Sequence, residues 1–315
     1  MRIAKFTSAG YVFLFILFLT GALMGQEAKW ERSIDKGDEA MANQHYDEAE
    51  AAYRDALAFA ENRWKKDARI SASLWKIAES CNAQGKQDEA ESLAKRSALS
   101  MEDAVSDHKP RNASEECQEV VVSTGLFEKA GDFFAGKQRY EDAESLYKKS
   151  LNQWKKYLFG TAPQQPKSEE IYRFWLRVAE NIPEKFVGAG LKLGSIYQKE
   201  GNVEGAKSLY QELATATDKL YKSTDPHKPT DSRIVPLLTN IGSSEFRVGD
   251  YAGAEPLFKR VIDVLAESKY KDSPDMASAL ENYALLLKKT GRAGAAKPFL
   301  ERAAVIRANS TIVRP

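Results

Sequence analysis

The chain has 315 residues, of which 43% are hydrophobic and 29% are charged, and this composition excludes an intrinsically disordered protein. Its 46 basic residues nearly cancel its 45 acidic residues. General nucleic-acid binding needs a basic excess that neutralises phosphates, so no nucleic-acid partner is expected.

Residues 1–25 are predicted to be a secretory signal peptide. Arg2 and Lys5 precede an apolar run at 11–19, and small residues follow it. This run is shorter than the about 20 apolar residues that a membrane-spanning helix needs. We therefore expect an exported protein, either periplasmic or secreted, that is cleaved after Ala22 or Gly25. The alternative is an uncleaved N-terminal helix that anchors the chain in a membrane.

Six copies of one pattern divide the rest of the chain into repeats. Each copy has a turn residue, a small residue seven positions before it, an alanine five positions after it and, in most copies, a large residue nine positions after it. The turn residues of repeats 1 to 6 are Gln44, Gly85, Gln138, Gly201, Gly249 and Gly291. Small residues let two helices approach closely, and the large side chain fills the space between them. The pattern therefore predicts an antiparallel helix pair in each repeat.

These residues resemble the tetratricopeptide repeat family from about Glu27 to Asn309. The turn residues lie 41 to 63 positions apart, farther than the family's usual spacing of about 34. Towards the C-terminus the repeats resemble the long repeats of kinesin light chains, as in DSPDMASALENYALLLKKTG followed by AAKPFLERAAVI. The resemblance implies an all-α fold, a right-handed α-solenoid of about six antiparallel helix pairs. Repeats 1–3 would occupy residues 27–160, and repeats 4–6 would occupy residues 183–309.

Residues 161–182, between these two groups of repeats, are predicted to form a linker and an inserted helix. A proline-rich segment comes first, and five apolar residues then fall on one helical face: Ile171, Phe174, Trp175, Val178 and Ile182. We expect this helix to begin after Ser168 and to end before Pro183.

Candidate catalytic and metal-binding residues are sparse. The three histidines, His45, His108 and His227, have no second ligand at a productive helical spacing. The segment GDFFAGKQ at 131–138 has the spacing of a phosphate-binding loop but lacks its Ser or Thr and a preceding strand. Cys81 and Cys117 are expected to stay free, since their helical positions place them roughly 25 Å apart. We therefore expect no enzyme activity, no metal and no cofactor.

The expected function is that of a non-catalytic scaffold whose concave groove binds a partner protein or an extended peptide, as the family resemblance implies. Positions nine, six and two before each turn residue share one helical face. In repeats 4–6 this face is basic and rich in amides, which suits an acidic segment. The predicted groove residues are Lys192, Lys199, Asn240, Arg247, Asn282 and Lys289.

Other interpretations of these residues stay open. Lys199, Arg247 and Lys289 would also stabilise the negative ends of their own helices. In repeats 1–3, the acidic residues six positions before the turn, Asp38, Glu79 and Asp132, are predicted to neutralise the groove lysines. Alternative functions are a structural or self-assembling spacer of an envelope complex and an enzyme whose site lies on the inserted segment.

Overall fold

The computed structural model describes residues 24–108, 110, 113–160, 181–221 and 231–312, and every regular element in these ranges is an α-helix. The predicted all-α fold is thereby confirmed. The twelve helices of the described ranges are α1 (Met24–Ala42), α2 (Tyr46–Arg63), α3 (Ala68–Ala83), α4 (Gln87–Asp107), α5 (Ala113–Gly136), α6 (Tyr140–Phe159), α7 (Ile182–Lys199), α8 (Val203–Tyr221), α9 (Ile234–Arg247), α10 (Tyr251–Ala266), α11 (Pro274–Lys289) and α12 (Ala293–Ile312).

The chain divides into two compact lobes, an N-terminal lobe, Met1–Val178, and a C-terminal lobe, Ala179–Pro315. Helices α1 to α6 form repeats 1–3, and helices α7 to α12 form repeats 4–6. Within each lobe, the two helices of a repeat pack against each other, and the second helix of one repeat packs against the first helix of the next. Each lobe is therefore a stack of three helix pairs, as in an α-solenoid.

The predicted linker and inserted helix lie mostly outside the described residues, because the structure describes nothing in 161–180. The last residue of that prediction, Ile182, is instead the first residue of α7, and Pro183 lies in the first turn of the same helix. A proline is tolerated there because the first N–H groups of a helix have no partner within it. Helix α7 thus begins one residue before the predicted start of repeats 4–6.

The six predicted turn residues all have a positive φ, so each adopts the left-handed conformation that ends the first helix of its repeat. Four of them are glycines, which reach this region without steric cost. The other two, Gln44 and Gln138, have φ values of 62° and 61° and carry side chains there. The predicted turn between the helices of every repeat is confirmed.

The small and large residues meet as predicted in repeats 1, 3, 4 and 5. A Cβ added to Gly37 would lie 2.2 Å from Cε1 of Tyr53, and one added to Gly194 would lie 2.3 Å from Cε1 of Tyr210. The alanine five positions after the turn is fully buried in every repeat, at Ala49, Ala90, Ala143, Ala206, Ala254 and Ala296. The predicted core of the helix pair is therefore confirmed.

Candidate functional site

The C-terminal lobe contains a cavity of about 490 Å³ on the face formed by the first helices of its repeats. Three of the predicted groove residues, Asn240, Arg247 and Asn282, line this cavity together. The remaining lining residues are Leu191, Ser243, Ser244, Phe246, Phe258 and Leu285. A groove of this size accommodates one large side chain and a short stretch of peptide backbone.

The other three predicted groove residues do not line the cavity. Lys199 and Lys289 are exposed in the last turns of α7 and α11, and Lys192 is half-buried on α7. Their positive charges lie on the same helices as the cavity residues but outside the wall of the cavity. The structure thus brings together the two asparagines and the arginine of the prediction.

Two consecutive hydrogen bonds, which pass through the buried hydroxyl of Ser244, hold Arg247 against its own helix. Nη2 of Arg247 donates to Oγ of Ser244 at 2.8 Å, and Oγ of Ser244 donates to the carbonyl oxygen of Asn240 at 2.9 Å. Among the described residues Arg247 forms no ion pair, so its guanidinium keeps donors for a ligand.

The cavity also has an apolar wall that the sequence analysis missed. Leu191 and Phe246 lie ten and three positions before their turn residues, on the same helical face as the predicted groove positions. Leu285 is 47% exposed although its side chain is large and apolar. Including the residue directly before each groove position would have found Leu191 and Phe246.

On the corresponding face of the N-terminal lobe, polar side chains form hydrogen bonds with other side chains of the same lobe. The hydroxyl of Tyr53 donates to Oδ1 of Asp38 at 2.6 Å, and Nζ of Lys76 lies 2.7 Å from the same oxygen. The hydroxyl of Tyr147 donates to Oδ1 of Asp132 at 2.6 Å. Lys76 is thus neutralised, as predicted, but by Asp38 of the preceding repeat, whereas the prediction paired it with Glu79 of its own repeat.

A buried carboxyl group lies behind the C-terminal groove. Glu245 on α9 is 1% exposed, and its Oε2 has no hydrogen-bond partner among the described residues. Burial, helped by the nearby charge of Asp250, raises the pKa of Glu245 to about 7. The same position in the other repeats holds Ala40, Cys81, Phe134, Tyr197 and Leu287, so periodicity gave no reason to expect an acid there.

One cluster of potential metal ligands is an ion-pair network. Oxygen or sulfur atoms of Glu50, Cys81 and Glu89 lie within 4.8 Å of one another. Glu50 already accepts from Lys86 at 2.8 Å, and Arg54 lies 2.5 Å from Glu89. Burial raises the pKa of the Cys81 thiol to about 11, which keeps it protonated and a poor ligand.

The other chemical candidates of the sequence have structural roles. Residues 131–136 are the end of α5, and Lys137 pairs with Glu91 at 3.6 Å, so this segment is not a phosphate-binding loop. His45 pairs with Glu48 at 3.9 Å, His108 contacts Glu119, and His227 lies outside the described residues. Cys81 and Cys117 are both buried and free.

The stacked helix pairs, their left-handed turns and the open groove define the class of protein: a helical repeat scaffold. Family models described as tetratricopeptide repeat match residues 34–105 and 233–307. The chain is a tetratricopeptide repeat protein, and such proteins generally mediate protein–protein interactions. Most of them have no catalytic activity of their own.

Three of the solved structures with similar chains are the following. BtubC (BKLC) from P. vanneervenii is 15% identical with a TM-score of 0.46, and the match covers 92% of this chain and 94% of that one. Pseudomonas aeruginosa pilF is 14% identical with a TM-score of 0.40, covering 87% and 90%. A putative kinesin light chain with TPR-like repeats from Podosopora anserina is 14% identical with a TM-score of 0.37, covering 89% and 95%.

No curated protein matches the chain in sequence. Within the described residues, none of the helices has the length and apolar character needed to cross a membrane. The family assignment therefore rests on the two matching family models and on the helix pairs themselves.

Proposed function

We propose that this protein is an exported, non-catalytic scaffold that binds an extended acidic segment of a partner protein in the groove of its C-terminal lobe. The observation that carries the proposal is the cavity in which Asn240, Asn282 and Arg247 stand around an apolar wall. Export is supported by the apolar leader of the sequence, with periplasmic or secreted placement as its consequence.

The two asparagines supply the contacts to the peptide backbone. Asn240 and Asn282 occupy the same position on the first helices of consecutive repeats, nine residues before the turn. A carboxamide donates and accepts hydrogen bonds at once, which matches the N–H and C=O groups of an extended chain. Two such groups on one groove fix the direction in which a peptide lies.

The arginine and the apolar wall select the side chains. Arg247 offers a planar pair of donors that matches a carboxylate of Asp or Glu. Leu191, Phe246 and Leu285 form a surface on which an apolar side chain of the peptide loses contact with water. Lys199 and Lys289 add positive charge on the same helices, which speeds the encounter with an acidic partner.

The proposal is tested with fluorescent twelve-residue peptides of matched apolar content, one acidic set and one basic set. We expect the acidic set to bind and Asn240→Ala with Asn282→Ala to weaken that binding at least about tenfold, mainly through faster dissociation. Arg247→Glu with Lys289→Glu should slow association and reduce its dependence on salt.

A matched control reverses two exposed charges in the α10–α11 connection, Lys269→Glu with Lys271→Glu, which leaves the groove intact. Equal binding of acidic and basic peptides, or equal losses in the groove and control variants, would place the binding surface elsewhere. Circular dichroism of each variant establishes that the helices are retained.

A further inference from the structure

The arginine of the groove is connected to the core of the preceding repeat through two buried hydroxyl groups. Nη2 of Arg247 donates to Oγ of Ser244, and Oγ of Ser244 donates to the carbonyl oxygen of Asn240. Ser244 is also a hydrogen-bonding neighbour of the hydroxyl of Tyr210, which lies on α8 in repeat 4. The guanidinium and the tyrosine thus share one serine hydroxyl, although they belong to different repeats.

The donors and acceptors around these two hydroxyls match one another. Nε2 of Gln198 donates to the oxygen of Tyr210 at 2.5 Å, which leaves the tyrosine proton for Oγ of Ser244. A serine hydroxyl has one proton and two lone pairs, so it can bond to Asn240, Arg247 and Tyr210 at once. Burial raises the pKa of Tyr210, and its interactions with Gln198, Arg247 and Ser244 offset part of that rise. The tyrosine therefore stays protonated and remains a donor.

The tyrosines at the same position in repeats 1 and 3 bind a carboxylate of their own repeat instead. Tyr53 donates to Asp38 at 2.6 Å, and Tyr147 donates to Asp132 at 2.6 Å. In repeat 4 a serine stands at the position of these carboxylates. The hydroxyl of Tyr210 is therefore not bound to a groove carboxylate of its own repeat, and it acts on the groove of repeat 5.

The other two cations that stand two positions before a turn in this lobe, Lys199 and Lys289, have no equivalent of Ser244. Five positions before the turn, repeats 4 and 6 carry Ile196 and Leu286, which have no hydroxyl. A long side chain loses rotamer freedom when it binds a ligand, and a side chain that is already anchored loses less. Of these three cations, only Arg247 has a hydroxyl three residues before it that holds its charged group in place.

We infer that Tyr210 and Ser244 are positioning residues that hold Arg247 ready for one particular carboxylate of the partner segment. The inference rests on the proposed function, because it specifies how the same groove recognises its acidic ligand. The segment then needs one carboxylate at a fixed place and not a general excess of acidic residues. An Asp or Glu side chain and the C-terminus of a chain both offer this group, so the test separates the two sources.

The first measurement finds the recognised carboxylate. The acidic twelve-residue peptide that binds most tightly is amidated at its C-terminus, and its acidic residues are changed one at a time to the corresponding amides. We expect one change to weaken binding at least about tenfold and each of the others to weaken it less than about threefold. A tenfold loss on amidation alone would equally support the inference and would identify the terminal carboxylate. Small and equal losses at every position would overturn it.

The second measurement repeats this comparison with Tyr210→Phe, which removes only the hydroxyl. The charge of Arg247 is retained, so the association rate and its salt dependence should not change, whereas dissociation should become at least about fivefold faster. Loss of the recognised carboxylate should then weaken binding less than about threefold, because the guanidinium is no longer held in place. Ser244→Ala should reproduce both effects.

The matched control is Tyr283→Phe, which removes a tyrosine hydroxyl of the same lobe that contacts Glu255 and does not line the cavity. This variant should keep the full discrimination between the carboxylate and the amide. Full discrimination in Tyr210→Phe, or an equal loss of discrimination in the control, would overturn the inference while the proposed function stands. Failure of the original chain to prefer the acidic peptides would overturn both.

Discussion

The two lobes use the same repeat position for different purposes. Six positions before the turn, Asp38 and Asp132 of the N-terminal lobe accept hydrogen bonds from Tyr53 and Tyr147. In repeat 5 the corresponding residues are Ser243 and Phe258, and phenylalanine has no hydroxyl to satisfy. In repeats 1 and 3 the core tyrosine thus binds a groove carboxylate, whereas the phenylalanine of repeat 5 makes no such bond and leaves the groove available for a ligand.

The largest expected effect is on the free energy of unfolding, which should change with pH in opposite directions in the two lobes. Glu245 has a pKa raised from 4.5 to about 7, so the folded C-terminal lobe binds this proton more tightly than the unfolded chain. Its contribution to stability is fully present below about pH 4.5 and is lost as the pH rises through about 7. We expect a loss of about 2 kcal/mol over this range, and Glu245→Gln should abolish it.

In the N-terminal lobe, Glu50 should act in the opposite direction. Burial alone would raise its pKa, but hydrogen bonds from Lys86, Arg54 and Gln84 lower it from 4.5 to about 2. Its contribution is present above about pH 4.5 and is lost as the pH falls towards 2.

Urea unfolding at several pH values measures both trends, with Glu267→Gln, at an exposed carboxyl, as the control. An unchanged pH profile in Glu245→Gln would show that this carboxyl is hydrated.

Truncating the side chain six positions before the turn should destabilise the two lobes unequally. Asp132→Ala leaves the buried hydroxyl of Tyr147 without its acceptor and should cost about 1 kcal/mol of unfolding free energy. Ser243→Ala, at the same position of repeat 5, should cost no more than a few tenths of a kcal/mol. Adding Tyr147→Phe to Asp132→Ala should recover part of the loss. Equal losses at both positions would contradict the difference between the lobes.

The smallest expected effect concerns the turns. Gln138→Gly relieves a side chain held at a φ of 61° and should stabilise the N-terminal lobe by about 0.5 kcal/mol, since the greater flexibility of unfolded glycine offsets part of the gain. The reverse change in the C-terminal lobe, Gly249→Gln, should destabilise it by a similar amount. Thermal unfolding compares the two variants, and a stabilising Gly249→Gln would refute the argument from φ.

The repeat itself could be predicted from the sequence because its determinants are local. A left-handed turn, a small residue seven positions before it and an alanine five positions after it all lie within one helix pair. Helical periodicity then fixes which residues face the partner helix. The glutamine turns were found in the same way, since Gln44 and Gln138 stand in the register of the glycines.

The candidate site was predicted only in part, because it combines residues of several repeats. Asn240 and Asn282 were found from their shared position, but only the stacking of the helix pairs shows that Arg247 joins them while Lys199 and Lys289 do not. The contact between Asp38 and Lys76 likewise joins two repeats.

What the sequence alone determined is therefore the helix pair, its turn and its buried alanine, because these depend on contacts within a few turns of helix. Tertiary structure alone decided that Oε2 of Glu245 is buried without a hydrogen-bond partner in the described part of the chain and that Leu191 and Phe246 share a wall with Asn240. Such neighbours come from separate helices, and their meeting depends on how successive helix pairs pack, which no local pattern encodes.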